Sequence, residues 1–483
     1  MTFMIGGTNA WTHGTSGWCS RDSRVGAGLR LIRGGVEAGA PEERREDVPV
    51  TLGVETDGER RPFVLDTAAR LRHLYIAGQP GAGKSTAILN LIRHDLAAGT
   101  GCCLLDPHGG LVDRVLATAA PESEQLDRIV VVDAADSERP VGIDLLRWRD
   151  EHEQDMVVQF FLGLLARLYL AEHQGPMLHQ AVRHALLLVM TARRSLAEFP
   201  LVFSHPPYLK RLLTHCTDPF VRRYFEQIWN KTSEYHKSEY LAYFTSKFGP
   251  FFEDRLMRNI LAQAGGGLDF DSVLAERKVV LVNLARGRIG DLNASLLGQI
   301  LLHLIRRSAM RRDPLSSPSL FNLYIDEAHE FAGGELRELV TAMRKFGVGV
   351  TLANQTIDDF YPRVRDTILG SVGTFLVLRQ GPHSTLEALT QPRFDCRDLM
   401  RLPDFTAVAC RTSAEGFVPP RSVRLKSPPK RQDETQAEAI RRASAARHAR
   451  PRAEVEAELL RAAEGLDAGE SREGKDKASE VQA

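Results

Sequence analysis

The sequence predicts an α/β protein built on a large, mainly parallel sheet of about nine strands, carrying an all-α insertion and a C-terminal helical tail. Three observations lead there. Apolar runs of strand length alternate with amphipathic runs of helix length over residues 73–132 and again over 278–378, the order that gives parallel strands with crossover helices. Over residues 147–263 the strand signal stops and apolar residues recur at helical spacing. Residues 73–90, HLYIAGQPGAGKSTAILN, read as an apolar strand, a glycine-rich turn and the start of a helix.

That turn is the most informative stretch of the chain. Gly78, Gly83, Lys84 and Ser85 match G-x-x-x-x-G-K-[ST], with Gln79, Pro80, Gly81 and Ala82 between them and Thr86 continuing into the helix. Gly78, Gly81 and Gly83 let the backbone curl until consecutive N–H groups point at one anion, and the helix adds its positive end. Lys84 reaches the outer phosphates as a point charge, and the Ser85 hydroxyl is a ligand for Mg²⁺. The strand–loop–helix context separates this reading from a chance match. ATP and Mg²⁺ are the expected cofactors.

Composition bounds the rest. The chain has 483 residues, room for more than one domain, and equal numbers of basic and acidic side chains, 62 each. No global field therefore draws it to nucleic acid or acidic lipid, and any such contact is local. The cysteines, Cys19, Cys102, Cys103, Cys216, Cys396 and Cys410, form no CxxC pair or metal-like cluster and read as reduced structural thiols. The longest apolar run, residues 156–171, is interrupted by Gln159 and Arg167, and the first twenty residues lack the apolar core of a signal peptide. The expectation is a cytoplasmic chain without a transmembrane segment of its own.

Taken in order, residues 1–45 are rich in Gly, Ser, Arg and Glu without periodicity and read as a disordered lead. Residues 46–147 form the first part of the nucleotide-binding core. A hairpin turning at Asp57-Gly58 leads into the glycine-rich turn, followed by a strand ending at Asp106 and another at 128–132. Ligands of such sheets lie at the carboxyl ends of the strands, where Gly78 and Asp106 both fall. Residues 148–265 are the helical insertion. Its aromatics, including Phe160, Phe161, Tyr224, Phe225, Trp229, Phe248, Phe251 and Phe252, are spaced as core, with no interleaved basic run to make them stacking platforms.

Residues 266–430 complete the core. KVVLVNL (278–284) is a strand, followed by a loop that carries Arg286 and Arg288 with Gly287 and Gly290, a candidate contact for a DNA backbone. FNLYI (321–325) ends in Asp326 and Glu327. An apolar strand ending in two acids complements a phosphate loop: the first carboxylate holds Mg²⁺ and the second orients the attacking water. Strand 348–353 ends in Asn354 and Gln355, amides able to read the γ-phosphate or that water, and strand 373–378 ends at Arg379. Residues 431–483 form a tail of helices nearly polar all round, with residues 467–483 read as disordered.

The string GQPGAGKST, LLDPHGGLVDRVL, VVVDAADSERPVGIDLL, VVLVNLARGRIG, FNLYIDEAHEF, MRKFGVGVTLANQ and ILGSVGTFLVLRQG resembles the HerA/FtsK superfamily of hexameric DNA pumps. Within it the likeness is greatest to the TraG/TraD-like coupling ATPases of conjugative type IV secretion, over residues 48–465. The resemblance implies a RecA-like P-loop ATPase core, DNA translocation and a homo-hexamer. It also implies Gln355 as the sensor amide and Arg344 as the finger reaching a neighbouring subunit's site, with Arg379 a second candidate. Gly110 stands where the family has an acid, and Ser371 where it has an asparagine. Relaxase or secretion-system membrane proteins are implied as partners, the chain lying peripherally at the inner face of the membrane. A soluble translocase working with a separate nuclease, and a switch or scaffold ATPase, are the competing readings.

Overall fold

The computed structural model describes residues 48–119, 123–168, 176–382, 384–413, 416–429 and 432–464. The expected disordered segments, 1–45 and 467–483, lie outside these. The strands are β1 (Val50–Glu55), β2 (Pro62–Leu65), β3 (Leu74–Ala77), β4 (Gly101–Asp106), β5 (Ile129–Asp133), β6 (Val279–Asn283), β7 (Phe321–Ile325), β8 (Val348–Asn354), β9 (Thr374–Val377), β10 (Thr406–Ser413) and β11 (Gly416–Leu425). They form one sheet in the order β2-β1-β11-β10-β9-β3-β8-β7-β4-β6-β5. From β9 to β5 every pairing is parallel, and from β9 to β2 every pairing is antiparallel.

The sheet thus has eleven strands rather than about nine, because the β1–β2 hairpin is not a separate lead-in. β1 pairs with β11 through Gly53↔Leu425, Val54↔Arg424 and Glu55↔Val423. A Cβ on Gly53 would lie 2.2 Å from the Arg424 carbonyl oxygen, so only glycine allows this approach.

Both faces of the parallel block are covered, which is why its strands are continuously apolar. Alternation divides each strand: Tyr75 and Ala77 face one core, Leu74 and Ile76 the other. Adjacent Cys102 and Cys103 likewise point to opposite faces, and Cys102, Cys103, Cys216, Cys396 and Cys410 are all free thiols.

Between β5 and β6 the described elements are all helical, among them Glu151–Leu168, Pro176–Thr191 and Glu234–Glu253. Phe160, Phe161, Tyr224, Phe225, Trp229 and Phe252 are buried there, in a core continuous with one face of the sheet through Val280 and Val282. The side chains of Phe248 and Phe251 are outside the described set. Among the described residues no helix is long and apolar enough to cross a membrane.

The tail does more than its polarity suggests. Helix Glu434–His448 buries Ile440 and Ser444, and the Ser444 hydroxyl accepts the Val131 N–H at 2.8 Å, occupying an edge group of β5. Helix Arg452–Glu464 follows, and its Ala462 carbonyl accepts from Arg211 of the helical segment at 2.6 Å.

Candidate functional site

The glycine-rich turn sits at the carboxyl end of β3, between the ends of β8 and β9. Gly78 N–H donates to the Asn354 carbonyl at 3.2 Å, and Gln79 N–H to the Arg379 carbonyl at 2.9 Å. Gly81 and Gly83 have φ of 78° and 122°, in the range that favours glycine. A Cβ on Gly78 would stand 2.8 Å from Leu378 Cβ. Gln79, Pro80 and Gly81 form the exposed rim, Ala82 is buried, and helix Lys84–Ala98 begins directly behind.

Lys84 is 7% exposed, and its ammonium donates to the Gly78 carbonyl at 2.7 Å. Burial lowers its pKa, while Glu327 and Asp326 oppose that shift, so the acidic strand end and the lysine share one field. Ser85 is half-buried at the helix start and Thr86 is buried behind it.

Asp326 follows β7, its N–H donating to the Leu105 carbonyl at 3.1 Å. Burial, reinforced by Asp106 and Glu327, pushes its carboxyl up to about 6. Asp106 ends β4 and accepts from the backbone of His108, Leu111 and Val112 at 3.0, 2.7 and 3.0 Å, capping helix Gly110–Thr118. A buried carboxylate such as Asp326, its proton affinity raised by burial and then by the neighbouring Asp106 and Glu327, is a position that a divalent cation would relieve.

Glu327 has φ of 43°, a strain of about 1–3 kcal/mol for a non-glycine residue. Its Oε2 is buried without a hydrogen-bond partner. The next residues were not singled out by sequence reasoning, yet they surround it. His329 Nδ1 lies 2.6 Å from Asn354 Oδ1 and 3.7 Å from Glu327 Oε2. Asn354, fully buried, donates from Nδ2 to the Thr356 carbonyl at 2.7 Å and to Asp359 at 3.1 Å. Of the two amides ending β8, Asn354 is therefore committed to this network, while Gln355 is exposed beside it. The run DEAHEF offered the only sequence signal, a histidine and a second acid after the acidic pair.

The two finger candidates lie at opposite ends of the sheet. Arg379 stands against its own chain's phosphate loop, its guanidinium paired with Asp404 at 2.8 Å. Arg344 is exposed in the turn Met343–Phe346 before β8, at the strand's amino end beside His73. The length of β8, roughly 20 Å, separates it from the loop. Arg286 and Arg288 are not in an open loop: residues Arg286–Ile289 form one helical turn. Arg288 is exposed, whereas Arg286 pairs with Asp291 at 2.6 Å and with Glu330.

No protein-family model matches the chain, and no curated protein matches it. Solved structures do. The bacterial conjugative coupling protein TrwBdeltaN70 in its unbound form is 17% identical over 81% of this chain and 91% of that one, with a TM-score of 0.54. TrwB with the ATP analogue ADPNP is 17% identical over 80% and 92%, with a TM-score of 0.55. VirB4 of Thermoanaerobacter pseudethanolicus is 16% identical over 80% and 98%, with a TM-score of 0.53. With the phosphate loop and the acidic strand end placed as described, the chain has the fold of the conjugative coupling protein TrwB and of VirB4.

Proposed function

We propose that this chain is a Mg²⁺-dependent ATPase that drives DNA movement as a homo-hexameric ring, serving conjugative or related type IV secretion. One observation carries the reading. Lys84, Asp326 and Glu327 share the carboxyl end of the sheet, while Arg344 is exposed at the amino end, where it has no access to its own site and is free to serve a neighbour's. The TrwB structures solved with ADPNP, and with ADP and Mg²⁺, give the fold a precedent for nucleotide.

In this reading the backbone N–H groups of Gly81, Gly83, Lys84, Ser85 and Thr86 and the Lys84 ammonium bind the phosphates. Ser85 and Asp326 would hold Mg²⁺, which when bound would supply positive charge to offset that of the phosphates. Glu327 orients the attacking water, Gln355 reads the γ-phosphate, and Arg344 from the adjacent subunit stabilises the transition-state charge. Arg288 is the exposed candidate for the DNA backbone. The partners are DNA, further copies of the chain, and relaxase or secretion-system proteins at the inner face of the membrane. The test is hydrolysis by purified protein. Glu327→Gln and Lys84→Ala each lower kcat by about 10² or more, and Glu327→Gln still binds ATP. Full turnover by Glu327→Gln refutes the assignment.

A further inference from the structure

Glu327 is held in a left-handed backbone conformation, and among the described residues its buried Oε2 has no hydrogen-bond partner, so the surrounding structure must keep it there. The turn that follows it, Ala328–Phe331, is gripped from two sides. On one side stands the segment after β6. Arg286 pairs with Glu330, and the Ser295 hydroxyl donates to the Glu330 carbonyl at 2.9 Å. Phe331 packs so closely on Gly298 that a Cβ there would lie 2.2 Å from its ring. On the other side stands the end of β8. His329 Nδ1 meets Asn354 Oδ1 at 2.6 Å, and its Nε2 lies 3.6 Å from Glu330 Oε1.

We propose that Arg286, Glu330 and His329 are positioning residues for Glu327, clamping the 328–331 turn between the segment after β6 and the end of β8. The proposal rests on the ATPase reading and deepens it. Arg286 then serves hydrolysis rather than phosphate contact. Its guanidinium neutralises Glu330, which would otherwise place a second bare carboxylate beside Glu327. His329 spans the gap between the acidic strand end and the amide network of Asn354, Thr356 and Asp359. With either arm released, Glu327 relaxes from its strained backbone and its carboxylate leaves the water it must orient, whereas the phosphate loop is untouched. A displacement of about 1 Å at such a group costs up to roughly 10² in rate.

The test compares full-length wild type with Arg286→Ala, Glu330→Gln and their double variant, by steady-state ATP hydrolysis and by binding of trinitrophenyl-ATP. Each single change lowers kcat roughly 10-fold or more and leaves KM within about two-fold. The double variant is no slower than the slower single, since both remove one interaction. His329→Asn, which keeps an amide donor facing Asn354, recovers most of what His329→Ala loses. Losses that multiply in the double variant, or a raised KM with unchanged kcat, overturn the proposal. Hydrogen exchange without nucleotide supplies a readout independent of turnover. It quickens over residues 326–331 in both single variants and stays unchanged over 74–77. Unaltered exchange over 326–331 overturns the clamp whatever the protein hydrolyses. Should wild type hydrolyse ATP, Glu327→Gln fail to and Arg286→Ala match wild type, the ATPase reading stands and the clamp alone falls.

Discussion

Replacing Asp95 by asparagine should loosen the joint between the two halves of the nucleotide site. Asp95 lies in the last turn of helix Lys84–Ala98 and is fully buried. It receives Arg70 Nη1 and Nη2 at 2.6 and 3.0 Å, the Tyr324 hydroxyl at 2.6 Å and Asn322 Nδ2 at 3.1 Å. Arg70 belongs to the helix before β3, and Asn322 and Tyr324 to β7, so one carboxylate joins the phosphate-loop helix to the acidic strand. Burial lowers the pKa of Arg70, but Asp95 and Tyr324 more than offset it, and the guanidinium stays charged. Asparagine keeps the shape and removes the charge, leaving a cation whose side chain is 7% exposed without its counter-ion. Breaking a buried pair from one side costs about 3–5 kcal/mol. With an unfolding entropy of roughly 2.1 cal/mol/K per residue over roughly 400 residues, a loss of about 4 kcal/mol lowers the melting midpoint by about 5 °C. Calorimetry without nucleotide reads this directly. Arg70→Gln added to Asp95→Asn should recover part of the loss, because no unpaired charge remains. A midpoint shift below about 1 °C, or a double variant worse by the sum of the singles, would refute the argument.

Other outcomes follow from the same geometry. Arg344→Ala and Lys84→Ala should each be inactive alone yet regain ATP hydrolysis when mixed, because a finger acting in trans lets one variant complete the other's site; no recovery excludes Arg344 from that role. Burial, with Arg344 nearby, pulls the His73 imidazole down to about 4, and its Nδ1 accepts the Val350 N–H at 3.1 Å. The unfolded chain therefore takes up a proton below about 6.5 that the folded chain refuses, and stability falls by up to about 3 kcal/mol between pH 6.5 and pH 4. His73→Asn, which tolerates φ of 68° and still offers an acceptor, should flatten that fall in denaturant titrations. Arg288→Ala should weaken DNA binding alike for all sequences and reduce its salt slope by about one unit for each phosphate no longer neutralised. An unchanged slope in filter-binding titrations removes this turn from the DNA path.

Residue types alone were enough to mark the glycine-rich turn and the acidic strand end that the structure brings to one end of the sheet. Gly81 and Gly83 are needed where φ is positive, Lys84 and Ser85 stand at fixed offsets from them, and Asp326 and Glu327 end an apolar strand, all features local in sequence. The strands were legible for the same reason, since a strand buried on both faces must be apolar throughout. Pairing was not. Whether the β1–β2 hairpin stood apart or joined the sheet depended on Gly53 meeting Arg424, far along the chain, and periodicity carries no information about such partners. The tail read as polar because its docking uses few apolar side chains, Ile440, Val455 and Ala462 among them, and many polar ones, such as Ser444 on an edge N–H, Arg447 with Asp127 at 2.6 Å and Glu456 with Arg255 at 2.8 Å.

What the sequence by itself determined is the local form of the phosphate loop and of the acidic strand end, because each is written in consecutive residues whose backbone geometry follows from their own side chains. Only the tertiary structure decided which charges the arginines face. Arg286, Arg344 and Arg379 carry the same side chain next to strand ends. Arg286 is drawn to Glu330, Arg379 to Asp404 beside its own loop, and Arg344 is left exposed at the far end of the sheet. A guanidinium takes its function from the charge it faces, and that charge is brought to it by the crossover connections of a parallel sheet rather than by its neighbours in the chain.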